Sequence, residues 1–401
     1  MSTTVSQPAP AAPMKPEGKS ERLVSLDAYR GFVMLLLFAS AFAMTPKLML
    51  KFYPDSPFWI AVAQQWNHVG YRIAKPSDFR IWDLIQPAFM FIVGVSVPYS
   101  YGARQARGES HLRMFGHAVY RAVVLILVGV FLRSNGKSQT YWTFEDVVSQ
   151  IGLGYVFLYL LWTQRWQVQA AAAACILVGY WGLWRFWPQI ASMLGVAQAA
   201  VAGWPKEGNP GQAFDVWLRN ALPHERPFTN HAYYTLNFIP SLANMIFGLL
   251  AGQLLRSALP ARRKLLILAG TGIAGVLLGI ALVPICPIIK VIWTPSFAIF
   301  SGGWCLLLLA GFYGVVDVLG WRRWTFPAVV LGANSIAVYV LMGMWWGDNG
   351  WLLGNVKRHA GTWLLSRMSD PWAGVTVSVL ACLIFWGIFY WMYRRKIFLR
   401  I

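Results

Sequence analysis

Apolar and polar positions alternate along this chain on a scale of tens of residues, not of three or four. Apolar runs lie near 30–48, 79–101, 116–134, 147–163, 168–187, 235–255, 264–284, 298–319, 327–346 and 372–393. Each is close to the roughly 20 residues a helix needs to cross a hydrocarbon core, the fourth being the shortest. The pattern predicts an all-α, polytopic membrane protein of about ten transmembrane helices with both ends on the same side. Ahead of the first run, residues 1–20 are rich in Pro, Ala, Ser and Thr and hold no apolar core for a signal peptide, so a disordered tail is expected, followed by a single transmembrane domain over 21–401. Two connections are long, 49–78 and about 188–234. The second carries Trp204, Phe214, Trp217, Phe228, Tyr233 and Tyr234, too many aromatics for a disordered linker, and is expected to form a lid or an acceptor-binding surface.

Composition strengthens this picture. With 57% hydrophobic and 12% charged residues and a mean hydropathy of +0.49, an ordinary soluble domain is excluded. The 22 Trp and 16 Tyr suit the headgroup level of a bilayer. The net charge of +19 is spread over short clusters and forms no extended basic domain, so lipid, not nucleic acid, is the expected partner. The densely basic short loops, holding Arg104, Arg107 and Arg113, then Arg262, Arg263 and Lys264, then Arg322 and Arg323, fall on the side of the two termini. That side is therefore expected to be cytoplasmic, in a bacterial inner membrane. Cys175, Cys305 and Cys382 lie inside apolar runs and Cys286 at the end of one, with no CxxC or Cys/His spacing, so neither a metal nor a disulfide framework is expected.

Chemistry concentrates between Trp66 and Gly94. His68 stands just outside an apolar segment into which Asp83, Pro87 and Gly94 are set. A loop histidine and an interfacial cap would account for the pair; an intramembrane ionisable residue also defaults to a functional candidate. Asp27 and Arg30 share a helical face where the chain enters the membrane. The sixth run contains Asn237, Ser241 and Asn244, and the ninth Asn334 and Ser335, polar groups that must face protein or water. Lys290 follows Pro284 and Pro287 in a broken lead-in to the eighth run, either as a snorkelling anchor or as an anion contact. A permease with a polar midplane site built from Asp83, Asn334 and Lys290 is one reading of these positions, although no convincing inverted repeat is visible. A membrane enzyme is another, and a structural or lipid-organising protein, which leaves the polar helix positions unexplained, is the third.

The motifs Arg22-x-x-Ser25-Leu-Asp27-x-x-Arg30-Gly31, the His68 loop, Asp83-Leu-Ile-Gln-Pro87-Ala-Phe-Met-Phe-Ile-Val-Gly94, Gln150-Ile-Gly-Leu-Gly-Tyr155, Trp293-Thr-Pro-Ser-Phe297, Gly332-Ala-Asn334-Ser335 and Arg395-Lys-Ile-Phe398, in that order, resemble the heparan-alpha-glucosaminide N-acetyltransferase family of membrane acyltransferases. The resemblance implies transfer of an acetyl group from cytoplasmic acetyl-CoA to an amino sugar or glycan on the other side. It puts the family's catalytic histidine at His68, and its asparagine near the end of the first conserved helix at Ala41, with Ser40 beside it, a departure from the pattern. Within that reading Asp83 orients His68, Ser40, Asn334 or Asn244 donates to the oxyanion or acceptor, and Arg30, Arg121 and Lys290 meet the donor's phosphates. Asp27, Gly31, Pro87 and Gly94 belong to the structural motif, and a homodimer is compatible with it.

Overall fold

The computed structural model describes residues 23–38, 40–71, 78–196, 201, 203–223, 233–345, 351–369 and 371–399. The expected tail over 1–20 lies outside them, as do His224, Glu225, Arg226, Phe228, Asn230 and His231 of the second long connection. The regular structure of the described residues is all helical, without strands. The first half of the chain contains α1 (Val24–Phe38), α2 (Ser40–Phe52), α3 (Pro57–Gln65), α4 (Ile81–Ala106), α5 (His111–Ser134), α6 (Val147–Leu161), α7 (Trp166–Arg185) and α8 (Trp187–Met193). The second contains α9 (Pro210–Asn220), α10 (Phe238–Arg256), α11 (Ala261–Ala281), α12 (Pro295–Phe312), α13 (Phe326–Gly332), α14 (Ser335–Trp345), α15 (Trp351–Leu364) and α16 (Trp372–Arg394).

All ten apolar runs are helical, but they are not ten uniform spans. Among the described residues six helical stretches are long and apolar enough to cross a membrane, those built on α4, α5, α10, α11, α12 and α16. The first run carries α1 and α2, which lie on either side of residue 39, outside the described residues, and α2 has Pro46 inside it. The ninth is broken between α13 and α14 with a 66° bend, so that the pair makes at most one broken span. At 15 residues, α6 rises about 22 Å, short of a hydrocarbon core of roughly 30 Å. Large apolar side chains such as Leu127 and Phe131 on α5, Leu277 on α11 and Leu383 on α16 face outward, as lipid-facing residues of an integral membrane protein do.

In lipid, helix association depends on close packing, and small residues permit it. Gly94 of α4 faces the backbone of Met245 and Leu249, while Gly248 and Gly252 of α10 face the backbone of Phe91 and Val95, so a Cβ at these positions would collide with main chain. Gly31 of α1 meets the backbone of Ala328 in α13, and Gly332 meets that of Asp27 and Gly31. Both motif glycines therefore mark helix crossings.

The described part of the second long connection is folded. Trp184 stacks on Trp204 with ring centroids 5.6 Å apart, and Tyr180, Trp184, Tyr234, Ile289 and Ile292 form a small core separate from the main one. Helix α9, N-capped by the Asn209 side chain, docks through Asp215, whose carboxylate accepts from the Thr235 backbone N–H at 3.0 and 3.3 Å just before α10. Burial pushes the Asp215 pKa up to about 6; the Thr235 hydrogen bonds and the Arg219 guanidinium pull it down, and Glu145 pushes it up again. Thus the folded state binds a proton here more tightly than the unfolded chain, whose Asp titrates near roughly 4. Stability should rise as pH falls through about 6 and level off near the unfolded value, a gain on the order of 1–2 kcal/mol. Thermal unfolding in detergent between pH 7.5 and 5 checks this: the wild type should gain relative to Asp215→Asn, which keeps an acceptor but has no charge to desolvate.

Candidate active site

At the first turn of α4 the backbone runs from Arg80, which makes no side-chain cap, into Ile81, Trp82 and Asp83. A carboxylate in the first turn suits the positive end of a helix dipole, but Asp83 is fully buried and needs stronger partners. It has three. His68 Nδ1 lies 3.0 Å from Oδ1, Lys290 Nζ donates to Oδ1 at 2.9 Å, and the Val69 backbone N–H donates to Oδ2 at 3.1 Å. Pro87 has no N–H, so the Asp83 carbonyl receives no helical hydrogen bond from that position. The His68 side chain is 55% exposed while that of Asp83 is 0% exposed, so the imidazole lies over the carboxylate at the mouth of the site.

Lys290 comes from the segment between α11 and α12, and that segment is fastened along its length. Tyr180 Oη donates to the Ile292 carbonyl at 3.0 Å, Asn237 Nδ2 to the Val291 carbonyl at 2.8 Å, and Thr294 Oγ1 to the Pro287 carbonyl at 2.8 Å. Trp293 adopts φ +48°, a left-handed conformation uncommon for a bulky residue, and is held there by full burial and by its indole N–H donating to Asn244 Oδ1 at 3.0 Å. Burial pushes the Lys290 pKa down and the Asp83 carboxylate opposes the shift. Tyr71, three residues beyond His68, donates to the Pro205 carbonyl at 2.9 Å. The His68 loop, the Lys290 segment and the 203–209 loop thus meet at one small core.

A cavity of about 810 Å³ opens at the other end of α4. One face of α4 lines it, through Phe89, Ile92, Val93, Ser96, Ser100, Arg104 and Arg107. Arg30 and Arg121 add their guanidinium groups from α1 and α5. Arg30 donates to Ser96 Oγ at 2.6 Å and pairs with Asp27 at 3.6 Å, which is the expected shared face. Arg104 donates to His117 Nε2 at 2.8 Å and to Glu109 at 3.0 Å. Arg121 lies over the Tyr155 ring at 4.9 Å, and its buried Nε has no hydrogen-bond partner among the described residues. The cavity walls are largely apolar, and the guanidinium groups among them are suited to phosphate. At its far end Phe89 packs edge-on to Tyr339, whose hydroxyl donates to Asp146 Oδ1 at 3.0 Å. Phe89 is about 9 Å along α4 from Asp83.

The expected site residues therefore separate. His68 and Asp83 come together with Lys290, which lies at the opposite end of α4 from the arginines with which the sequence grouped it. Arg30 and Arg121 do share a cavity. The Asn334 amide is taken at both ends by the C-terminal backbone, donating to the Ile397 carbonyl and accepting from the Leu399 N–H, each at 2.9 Å. It does not join Asp83 and Lys290, as a midplane permease site would require. The Asn244 amide is occupied by the Ala298 carbonyl at 2.9 Å and by Trp293, tying α10 to α12. Ser40 and Ala41 side chains lie outside the described residues. Sequence reasoning missed Arg104 and Arg107, counted only as topology charges, although Ser96, Ser100 and Arg104 follow one another at a four-residue helical spacing. It also missed Trp82, whose indole N–H donates to His68 Nε2 at 3.1 Å. Among the described residues no group of three or more His, Cys, Asp or Glu could hold a metal.

Comparison with known proteins bears on this geometry. No family model matches the chain. The *Homo sapiens* protein named heparan-alpha-glucosaminide N-acetyltransferase is 23% identical over 431 residues, covering 95% of this chain and 60% of that protein. The Mus musculus protein of the same name is 23% identical over 372 residues, covering 80% of this chain and 53% of its own length. The chain thus spans little more than half the length of these relatives, and the two matches support a distant relationship to the family that the motifs resemble.

The buried pair makes a testable demand. Asp83→Asn leaves the Lys290 ammonium buried without a counter-charge and should cost about 3–5 kcal/mol, whereas adding Lys290→Met to it should recover much of that loss. Chemical unfolding in detergent of the two single variants and the double variant measures the coupling. Additive losses would mean that the two charges do not depend on each other.

Proposed function

We propose that the protein is a membrane-embedded acyltransferase that moves an acetyl group from acetyl-CoA on the cytoplasmic side to the amine of an amino sugar or glycan on the opposite side. The observation that carries this reading is the division of labour along α4, with an imidazole–carboxylate pair at one end and an arginine-lined cavity at the other. The 21 residues from Asp83 to Arg104 rise about 32 Å, close to the thickness of a hydrocarbon core. A donor whose pyrophosphate sits between Arg30 and Arg121, level with Ser96 and about 20 Å along α4 from Asp83, can bring its thioester toward His68 by extending its pantetheine arm along the helix. The distant relationship to proteins named N-acetyltransferases supports the same reaction class.

In this mechanism His68 is the general base. The Asp83 carboxylate fixes the proton on Nδ1 and leaves the Nε2 lone pair to take a proton from the acceptor amine. The amine nitrogen attacks the thioester carbonyl, the C–N bond forms, the C–S bond breaks, and the departing thiolate receives the proton held by His68. Lys290 keeps Asp83 ionised and in place. Ten membrane crossings with both ends cytoplasmic, counting the first and ninth runs as one crossing each, place His68 on the outer face of an inner membrane. The segment 21–401 acts as one catalytic domain.

Cysteine labelling tests the topology: a cysteine at Ser110 should react only from the cytoplasmic face and one at Gly208 only from the opposite face, and labelling of both from one face would overturn the count of crossings. The reaction is tested in sealed vesicles of known orientation. Labelled acetyl-CoA supplied to the cytoplasmic face should acetylate glucosamine confined to the other face, and His68→Ala should lose turnover by about 10²–10⁴-fold, the usual contribution of a general base. Movement of unmodified acceptor that does not depend on donor would identify a permease instead.

A further inference from the structure

The hydrogen bonds around His68 fix which of its nitrogens carries the proton. Nδ1 faces a carboxylate oxygen, which only accepts, at 3.0 Å, and Nε2 faces an indole N–H, which only donates, at 3.1 Å. Lys290 Nζ is also 3.2 Å from Nδ1, but it already donates to Asp83 at 2.9 Å. A lone pair on Nδ1 would accept from Lys290 at the expense of two repulsions: it would oppose the Asp83 oxygen, and the proton on Nε2 would oppose the indole N–H. The neutral ring with its proton on Nδ1 satisfies both partners, and in it the Nε2 lone pair is occupied by Trp82.

Trp82 also stands in a particular place on α4. At 100° per residue, the stripe that lines the cavity, Phe89, Val93, Ser96, Ser100 and Arg107, continues outward past Gln86 and ends at Trp82. Gly94, which packs on α10, is on the opposite face. An arm rising along the cavity face therefore meets the indole before it meets the imidazole. The indole is half-buried, edge-on to Trp66 at 6.1 Å and to the His68 ring at 6.1 Å, and lies in the first turn of the helix, where no preceding turn encloses it.

We infer that Trp82 is a cap on His68: its N–H holds the Nε2 lone pair out of reach, and the arm of the acyl donor turns the indole aside as it arrives. The cap follows from the hydrogen bonds alone, whereas its release by the donor rests on the acyltransferase reading.

Diethyl pyrocarbonate reads the cap without any acyl transfer by the protein, because it carbethoxylates imidazole through a free lone pair, with loss of ethanol and carbon dioxide. Modification of His68, followed by peptide mass spectrometry at fixed pH, should be about tenfold faster in Trp82→Phe than in the wild type, the ratio expected on losing a hydrogen bond of about 1–1.5 kcal/mol. The exposed His111 on α5 serves as the internal reference and should not change. Equal rates at His68 would overturn the cap. Should the variant not fold, ¹⁵N-histidine spectra of the wild type, with the His68 signals identified by their absence in His68→Ala, decide the same point: protonated Nδ1 is expected, and protonated Nε2 would overturn it. A thioether analogue of acetyl-CoA, which cannot transfer, should raise the wild-type rate toward that of Trp82→Phe. If the analogue stabilises the protein thermally but leaves the His68 rate unchanged, release by the donor is wrong; if it does not bind, the acetyl-CoA reading fails and the cap stands or falls on the variant.

Discussion

The burial of one carboxylate in the first turn of a central helix constrains much of this structure. Asp83 is removed from water, and an ionised group there is sustained only by matched donors. Those three donors come from two places in sequence: the helix's own preceding loop supplies His68 and the Val69 N–H, and a segment more than two hundred residues away supplies Lys290. Bringing Lys290 in requires the turn between α11 and α12 to run inside the protein, and its polar backbone is satisfied by Tyr180, Asn237 and Thr294. The left-handed conformation of Trp293 is part of that requirement, because the chain must reverse between Lys290 and the start of α12.

The rest of α4 follows from its two faces. Gly94, opposite Gly248 and Gly252, lets α10 approach closely enough for main chain to touch main chain, which anchors α4 without side chains that would intrude on the other face. The opposite face is free to line a cavity with Ser96, Ser100, Arg104 and Arg107. One rigid helix thereby sets the spacing between the buried Asp83 carboxylate and a cluster of guanidinium groups. Supports on rigid elements hold such spacings better than loops do.

The outer connections complete the site. Tyr71 beside His68, Trp204 beyond α8, Tyr234 before α10 and Ile289 and Ile292 beside Lys290 pack into one small core. A change in the docking of α9, through Asp215 and Thr235, would therefore be felt by the same core that positions His68 and Lys290. This coupling is local packing and requires no long pathway.

Much of this was legible in the order of residues. The apolar runs determined an all-helical membrane protein, because a span must satisfy its own backbone in lipid and must be about 20 residues long. The spacing from His68 to Asp83 left their contact open, because fifteen extended residues can span roughly 50 Å, and it is the fold that brings the imidazole to the carboxylate. The Asp27–Arg30 pair was readable from helical spacing, and Gly31 and Gly94 stood out as motif positions whose close helix crossings the structure then supplied. What sequence could not determine was partnership across distance. Lys290 beside Asp83, Asn334 on the C-terminal backbone, Asn244 between α10 and α12, and Arg30 and Arg104 around one cavity depend on which helices touch, and helix pairing in lipid is decided by shape complementarity between whole surfaces, not by any local pattern. The bend between α13 and α14 was hidden for the same reason: hydropathy registers that a segment prefers lipid, and only the neighbours it packs against decide whether it crosses straight.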